Sequence, residues 1–304
     1  MDYRRSLSVG FISIAGLATL CSQAYVQSPS KDDSGALYRD NIAKWRKGVE
    51  ADLLTDEGWL SVAGLFWLQD GETTLGTDSN CGIVFPTGSA PGKVGTLTNS
   101  GGKVSFTVET GATATINGQA IDSRTLAPDS DRVQTGSVTW MVIRRGNRIG
   151  VRLFDKNSKG RREFKGCKWY PVDLRYRIMA SYTAYPVPQE MPITNVLGDT
   201  QPVLNPGYVT FAIKGKEFRL EAQAAGNGFF FNFKDLTSGN ETYPAGRFLD
   251  APGPVNGKVL LDFNRATNPP CAFTAYATCP LPPRSNYLEV RIPAGEKTHH
   301  PAEK

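Results

Sequence analysis

The chain has 304 residues, of which 40% are hydrophobic and 21% charged, so it carries enough apolar surface to fold and is not a disordered chain. Its 34 Lys and Arg against 29 Asp and Glu leave a formal charge of +5, too weak for a dedicated nucleic-acid binder. The two histidines, His299 and His300, both lie in the tail, which argues against a buried Ser-His-Asp triad, a Cys-His dyad or a multi-His metal site.

Residues 1–24 read as a signal peptide. Arg4 and Arg5 precede an apolar run from Leu7 to Leu20, and the small residues Ser22 and Ala24 follow. The run is shorter than the roughly 20 residues that cross a bilayer as a helix. Export to the periplasm or the exterior is therefore expected, with no membrane span after signal removal. Cys21 would allow a lipid-anchored form, although Leu20 stands where a small residue is expected. Residues 25–58 are expected to hold a leader and one amphipathic helix over 35–56. Ile42, Trp45, Val49 and Leu53 recur every three or four residues and form one stripe, predicted to pack on the β block that follows. Gly58 is placed to end the helix.

From residue 59 the pattern is β. Short alternating runs at 81–85, 103–109, 112–116, 137–145 and 148–154 are separated by the turn pairs Gly101-Gly102, Asn117-Gly118 and Gly146-Asn147. They predict a sandwich-like block over 59–160. Residues 186–206 carry Pro186, Pro188, Pro192, Pro202 and Pro206, a density that argues for a linker and against a central strand. A second β block is expected over 165–297, with strands at 207–215, 217–224, 228–233, 258–263 and 287–292, followed by a tail at 298–304. The fold class is thus mostly β: an N-terminal helix followed by two sandwich- or barrel-like blocks.

Several phrases stand out together: GWLSVAGLFWLQDGETTLGTD (58–78), RLFDKNS (152–158), WYPVD (169–173), NETYPAGRFLD (240–250) and DFNRATNPPCAFTAYATCPLPPRSNYLEVRIPAGEK (262–297). Over residues 40–297 the chain resembles the prokaryotic family known as domain of unknown function 1684. That resemblance implies no activity, substrate or cofactor, but it draws attention to 240–297. The rhythm of residues 65–121 also resembles a forkhead-associated sandwich, with Gly76 and Asn117-Gly118 in place. Thr77 stands where that fold's phosphate-binding Arg would be, so the resemblance implies the sandwich and not the ligand.

Candidate chemistry gathers in the second block. Cys271 and Cys279 allow a small disulfide-closed loop, buried inert thiols, or reactive thiols flanked by Arg265 and Arg284. Strand alternation puts Asp262 and Asn264 on one face, with Asn268 beyond them. Such residues line a binding rim or satisfy the backbone of the next loop through Asx-type turns. Arg247 suits a carboxylate or phosphate clamp, or an internal bridge to Asp262 or Asp250. Thr242 and Tyr243 lie beside it as ligand-binding candidates. Glu241 and Asp262 would serve as an acid/base pair if their carboxyls came within roughly 5–9.5 Å. Arg152 and Asp155 are expected to hold the junction between blocks. Trp169 and Tyr170 suit core packing or stacking on a ligand. The basic clusters at Arg144-Arg145 and Lys159 to Arg162 read as solvated loops.

There is no phosphate-loop lysine motif, no Gly-x-Ser-x-Gly elbow and no Cys-x-x-Cys. No cofactor and no metal is expected. The primary reading is an exported binding or structural module for an unidentified small molecule or polymer. The alternative is a hydrolase built on Arg247, Asp262, Asn264 and Asn268, and a third reading is a thiol or redox role.

Overall fold

The computed structural model describes residues 35–299. The predicted signal segment, the leader up to residue 34, Cys21 and the tail from His300 lie outside the described residues. The helix spans Gly35–Leu53. Gly58 follows its end because an added Cβ there would sit 2.4 Å from the Leu53 carbonyl oxygen. The helical stripe is as expected, with Tyr38 added to it and Ile42 fully buried. Its landing place differs from the expectation. Trp45 meets Trp169 edge-on, with ring centroids 5.8 Å apart, and the Arg265 guanidinium lies 5.4 Å from the Trp45 ring centre. Most of the stripe therefore packs on the second block, because the aromatic partners it needs lie there.

The first block is two facing sheets. Five strands run in the order Ile83–Val84, Gly71–Gly76, Gly95–Ser100, Lys103–Val108 and Ser123–Thr125. Six run in the order Val62–Trp67, Arg148–Asp155, Val138–Arg145, Val133–Thr135, Thr115–Ile116 and Gln119–Ala120. Strand alternation sends Trp140, Val142, Val151 and Leu153 inward against Leu97, Phe106 and Leu75. The Asn117-Gly118 turn has both residues at positive φ, 53° and 77°, as a two-residue hairpin requires.

The second block is also two antiparallel sheets and does not close into a barrel. One has the order Lys216–Glu221, Thr200–Ile213, Arg177–Thr194, Lys258–Asp262. The other has the order Gln223–Ala225, Gly228–Phe233, Arg247–Pro252. Phe229, Phe231 and Phe233 fill the space between them with Phe211, Phe263 and Leu249. The proline-rich stretch is not a linker but two paired strands. Pro186 and Pro188 fall in the register break between Ala184 and Gln189, and Pro192 faces Pro202. Beyond Ser181 this ribbon has no second neighbour in its sheet, so missing donors cost no ladder bond. Its tip returns to the body: Val196 donates to the Cys279 carbonyl at 2.9 Å, and Asp199 pairs with Arg148 at 3.2 Å. The run 287–292 is irregular rather than a strand. Its backbone pairs with the loop after Phe233, and the Ile292 and Ala294 carbonyls accept from the Arg247 side chain.

The outer face of the six-stranded sheet, with Val62, Met141, Ile143 and Phe154, is apolar. Trp59 packs against it, against Leu53, Leu60 and Phe273, and against Phe230, Phe248 and Cys279. One indole thus joins helix, first block and second block.

Candidate functional site

The residues singled out in the second block are divided among separate hydrogen-bonded groups: Asp262 joins Asn264, Thr242 is linked to Arg247 through Thr237 and Asp235, and Tyr243 joins Cys271. Asp262 is 7% exposed and caps the short turn Phe263–Arg265, accepting from the Asn264 amide at 3.2 Å. Its Oδ1 also accepts from the Tyr38 hydroxyl at 2.7 Å and Asn264 Nδ2 at 3.2 Å. Asn264, fully buried, accepts from the Asp173 amide at 2.9 Å and donates to the Asp173 carbonyl at 2.9 Å. These bonds hold the helix and the 173–176 turn to the sheet, and Asp262 Oδ2 pairs with Arg265 at 3.5 Å. Replacing Asp262 with Asn removes the charge from these hydrogen bonds. It is expected to lower stability by about 1–2 kcal/mol, read as a drop in thermal midpoint. An unchanged midpoint would show that the node does not hold the helix.

Arg247 is fully buried and pairs neither with Asp262 nor with Asp250. It pairs with Asp235, Nη2 to Oδ1 at 3.2 Å, and donates to the Ile292 and Ala294 carbonyls. Burial holds its guanidinium below the usual range. Glu241 lies near the surface, paired with Arg291 and accepting from the Tyr170 hydroxyl at 2.8 Å. Those contacts, Arg291 first, hold its carboxyl below the usual range. Glu241 and Asp262 are engaged by different partners, Arg291 and Tyr170 for the first, Tyr38, Asn264 and Arg265 for the second. Thr242 is buried against Thr237 at 2.9 Å, and Tyr243 donates to the Cys271 carbonyl at 2.9 Å. The Asn268 backbone amide donates to Glu296 Oε2 at 2.7 Å and its side-chain amide donates to the Lys297 carbonyl at 2.8 Å.

Cys271 and Cys279 are free thiols, so no disulfide closes their loop. The Cys271 amide donates to Cys279 Sγ at 3.1 Å. Arg152 reaches the same seam. It is 4% exposed, lies 5.0 Å from the centre of the Trp59 ring, and has no hydrogen-bond partner at Nε or Nη2 among the described residues. Desolvation pushes it down to about 10. Among the described residues no group of three or more His, Cys, Asp or Glu is placed to hold a metal ion.

The feature that can hold a ligand lies elsewhere. An open cleft of about 810 Å³ runs between the 86–89 loop, the strand ends at Ser137 and Asp155, and the segment 157–168. Its apolar wall is Leu60, Val62, Phe164, Phe273 and His299, the His299 ring centred 5.8 Å from Phe164 and 5.0 Å from Phe273. Its rim carries Lys159, Arg162, Lys165 and Lys168 against Asp155 and Glu163. Ser89, 6% exposed, lines it with an Oγ that has no hydrogen-bond partner among the described residues. The basic run that the sequence suggested was a solvated loop is thus one wall of a cleft. The Ser158 side chain builds that wall by capping the short helix Lys159–Glu163 and donating to the Leu60 carbonyl at 2.6 Å. A second hollow of about 530 Å³, beside Arg39, Tyr170 and Asp173, is shallower and its Asp173 is already paired with Arg175.

Residues 162–297 match the model of the family described as Protein of unknown function (DUF1684). The matched stretch covers the second block and Arg162, Lys165 and Lys168 of the basic wall of the cleft but not Lys159, whereas the resemblance read from the sequence began near residue 40. Among solved structures, an uncharacterized protein of Haloarcula marismortui is 33% identical over 45% of this chain and 79% of its own, with a TM-score of 0.39. An N-terminal forkhead-associated domain from EssC, a component of the bacterial Type VII secretion apparatus, is 16% identical over 31% of this chain and 46% of its own, with a TM-score of 0.26. No curated protein matches the chain.

Proposed function

We propose that the protein is an exported, non-catalytic binding module whose cleft takes an anionic small molecule or the anionic end of a polymer. The observation that carries this reading is the cleft itself: about 810 Å³, with four cationic side chains facing two carboxylates over an aromatic wall. That volume lies in the ordinary range for ligand pockets. The excess of positive charge favours an anion, and the Phe164, Phe273 and His299 rings favour a ligand with a flat apolar part. The unpaired Ser89 hydroxyl supplies a hydrogen bond that a ligand oxygen would complete. The order of basic, apolar and small residues at 1–24 supports export. The carboxylates that hydrolysis would require are each engaged in separate structural contacts, so no observation favours the hydrolytic reading.

The reading is tested by titrating the protein with tripolyphosphate and with 2-naphthoate at low and high salt. Saturable binding that weakens as salt rises is expected for both. The double substitution Arg162→Glu with Lys165→Glu is expected to weaken binding at least tenfold while the thermal midpoint holds, because both side chains are exposed. Binding that is indifferent to this charge reversal would remove the cleft from consideration.

A further inference from the structure

We propose that Cys271 and Cys279 form a reversible dithiol/disulfide site in the seam between the two blocks, in which Cys271 attacks a small-molecule disulfide and Cys279 closes the bond. Three observations carry this. The two thiols are held together, with the Cys271 amide donating to Cys279 Sγ at 3.1 Å. Both arms of their loop are fixed independently of that contact. The Tyr243 hydroxyl holds the Cys271 carbonyl at 2.9 Å, and the ribbon tip holds the Cys279 carbonyl through Val196 at 2.9 Å. The pair therefore meets without having to order a loop first.

The second observation is asymmetry of access. Cys279 is 4% exposed, whereas Cys271 is only half-buried. The hydrogen bond from Cys279 holds the Cys271 thiol below its ordinary range, and burial pushes the Cys279 thiol up. The accessible member is thus the better nucleophile. The third observation is Arg152. Among the described residues this buried guanidinium makes no direct ion pair and its Nε and Nη2 have no hydrogen-bond partner, the main balancing charge being the through-space pull of Asp129. It sits against Trp59, which packs with Cys271 on the apolar cluster that contains Cys279, and its charge acts on Cys279. A transient Cys279 thiolate supplies the missing anion.

The chemistry balances with a disulfide RSSR as oxidant. The Cys271 thiolate attacks one sulfur, the RS–SR bond breaks, and RS⁻ leaves and takes up the proton that Cys271 gave to water. Cys279, deprotonated beside Arg152, then attacks the Cys271 sulfur. The second RS⁻ leaves and is protonated in turn. Two protein thiols are oxidised to one disulfide and RSSR is reduced to two RSH.

The test treats the full chain with oxidised glutathione and maps thiols by peptide mass after alkylation. A disulfide between 271 and 279, reversed by dithiothreitol while Cys167 stays a thiol, is expected. In Cys279→Ser, Cys271 is expected to accumulate as a stable glutathione mixed disulfide. In Cys271→Ser, Cys279 is expected to react at least tenfold more slowly than Cys271 does in the other variant. Absence of the 271–279 disulfide under conditions that modify Cys81 would overturn the proposal, and so would equal reactivity of the two single variants.

Discussion

Asp235→Ala is expected to destabilise the protein by about 3–5 kcal/mol, because it strands a buried guanidinium. Asp235 and Arg247 have side-chain exposures of 0% and 1%, so water cannot replace the lost partner. The carboxylate also accepts from the Thr237 hydroxyl at 2.7 Å and from the Ile292 amide at 2.6 Å. Removing it takes an acceptor from Arg247, Thr237, Ser238 and the Ile292 amide at once. Arg247 in turn holds the irregular 292–294 backbone through two carbonyls, so the loss should loosen the whole C-terminal segment. The double change Asp235→Leu with Arg247→Met removes both charges and keeps most of the volume. It is expected to recover part of the loss, since a buried ion pair mainly costs when one partner is missing. Chemical denaturation of the three variants measures this. A single variant as stable as the parent would show that Arg247 is satisfied by backbone alone. The same series separates structure from binding: the proposed cleft does not use Arg247, so any variant that remains folded should still bind anions.

The fold class was legible because it rests on local signals. Alternating runs such as 103–109 and 148–154, and the Asn117-Gly118 turn, specify strands and hairpins whatever surrounds them. Two elements were not legible because their partners decide them. YLEVRI alternates like a strand, but its backbone is claimed by the 234–238 loop and by the Arg247 side chain. The prolines at 186–206 forbid a central strand, and the chain meets that restriction with a bulged ribbon rather than a linker. The site was illegible for a related reason. Asp262, Asn264, Arg247 and Glu241 have the right chemistry for a site, but chemistry alone does not say whether a carboxylate will find a Tyr38 more than two hundred residues away. The cleft combines loop cations near 160, Ser89 and His299, which no periodicity connects. The one usable clue was the clustering of Lys159, Arg161 and Arg162 beside the capping residue Ser158.

Stability should also fall as pH rises from about 4.5 to 7, and Glu296→Gln should abolish that dependence. Glu296 is 1% exposed, and burial pushes its carboxyl from 4.5 up to about 7. The Asn268 amide donates to its Oε2 at 2.7 Å, which opposes the rise, as do the nearby Cys167 thiol and the Asn268 side chain; the Glu50 carboxylate adds to it. Below pH 4.5 the group is protonated in both folded and unfolded chains, so it carries no penalty. Between 4.5 and 7 the unfolded chain releases its proton first, and the folded state, which binds more protons, loses stability with each step of pH. Above 7 the full penalty remains, about 3 kcal/mol for a shift of this size. Glutamine keeps the acceptor for the Asn268 amide and offers a donor to the Asn268 Oδ1, which has no partner. The variant should therefore match the parent below pH 4.5 and exceed it by about 3 kcal/mol above pH 7. Paired thermal melts across this range measure the difference. A gap that stays constant with pH would mean that Glu296 ionises normally, and that its neighbours, rather than burial, set its charge. Glu296 is bridged to Trp169, whose indole donates to the helix residue Glu50 at 3.1 Å, so the same melts report on the junction where the helix docks.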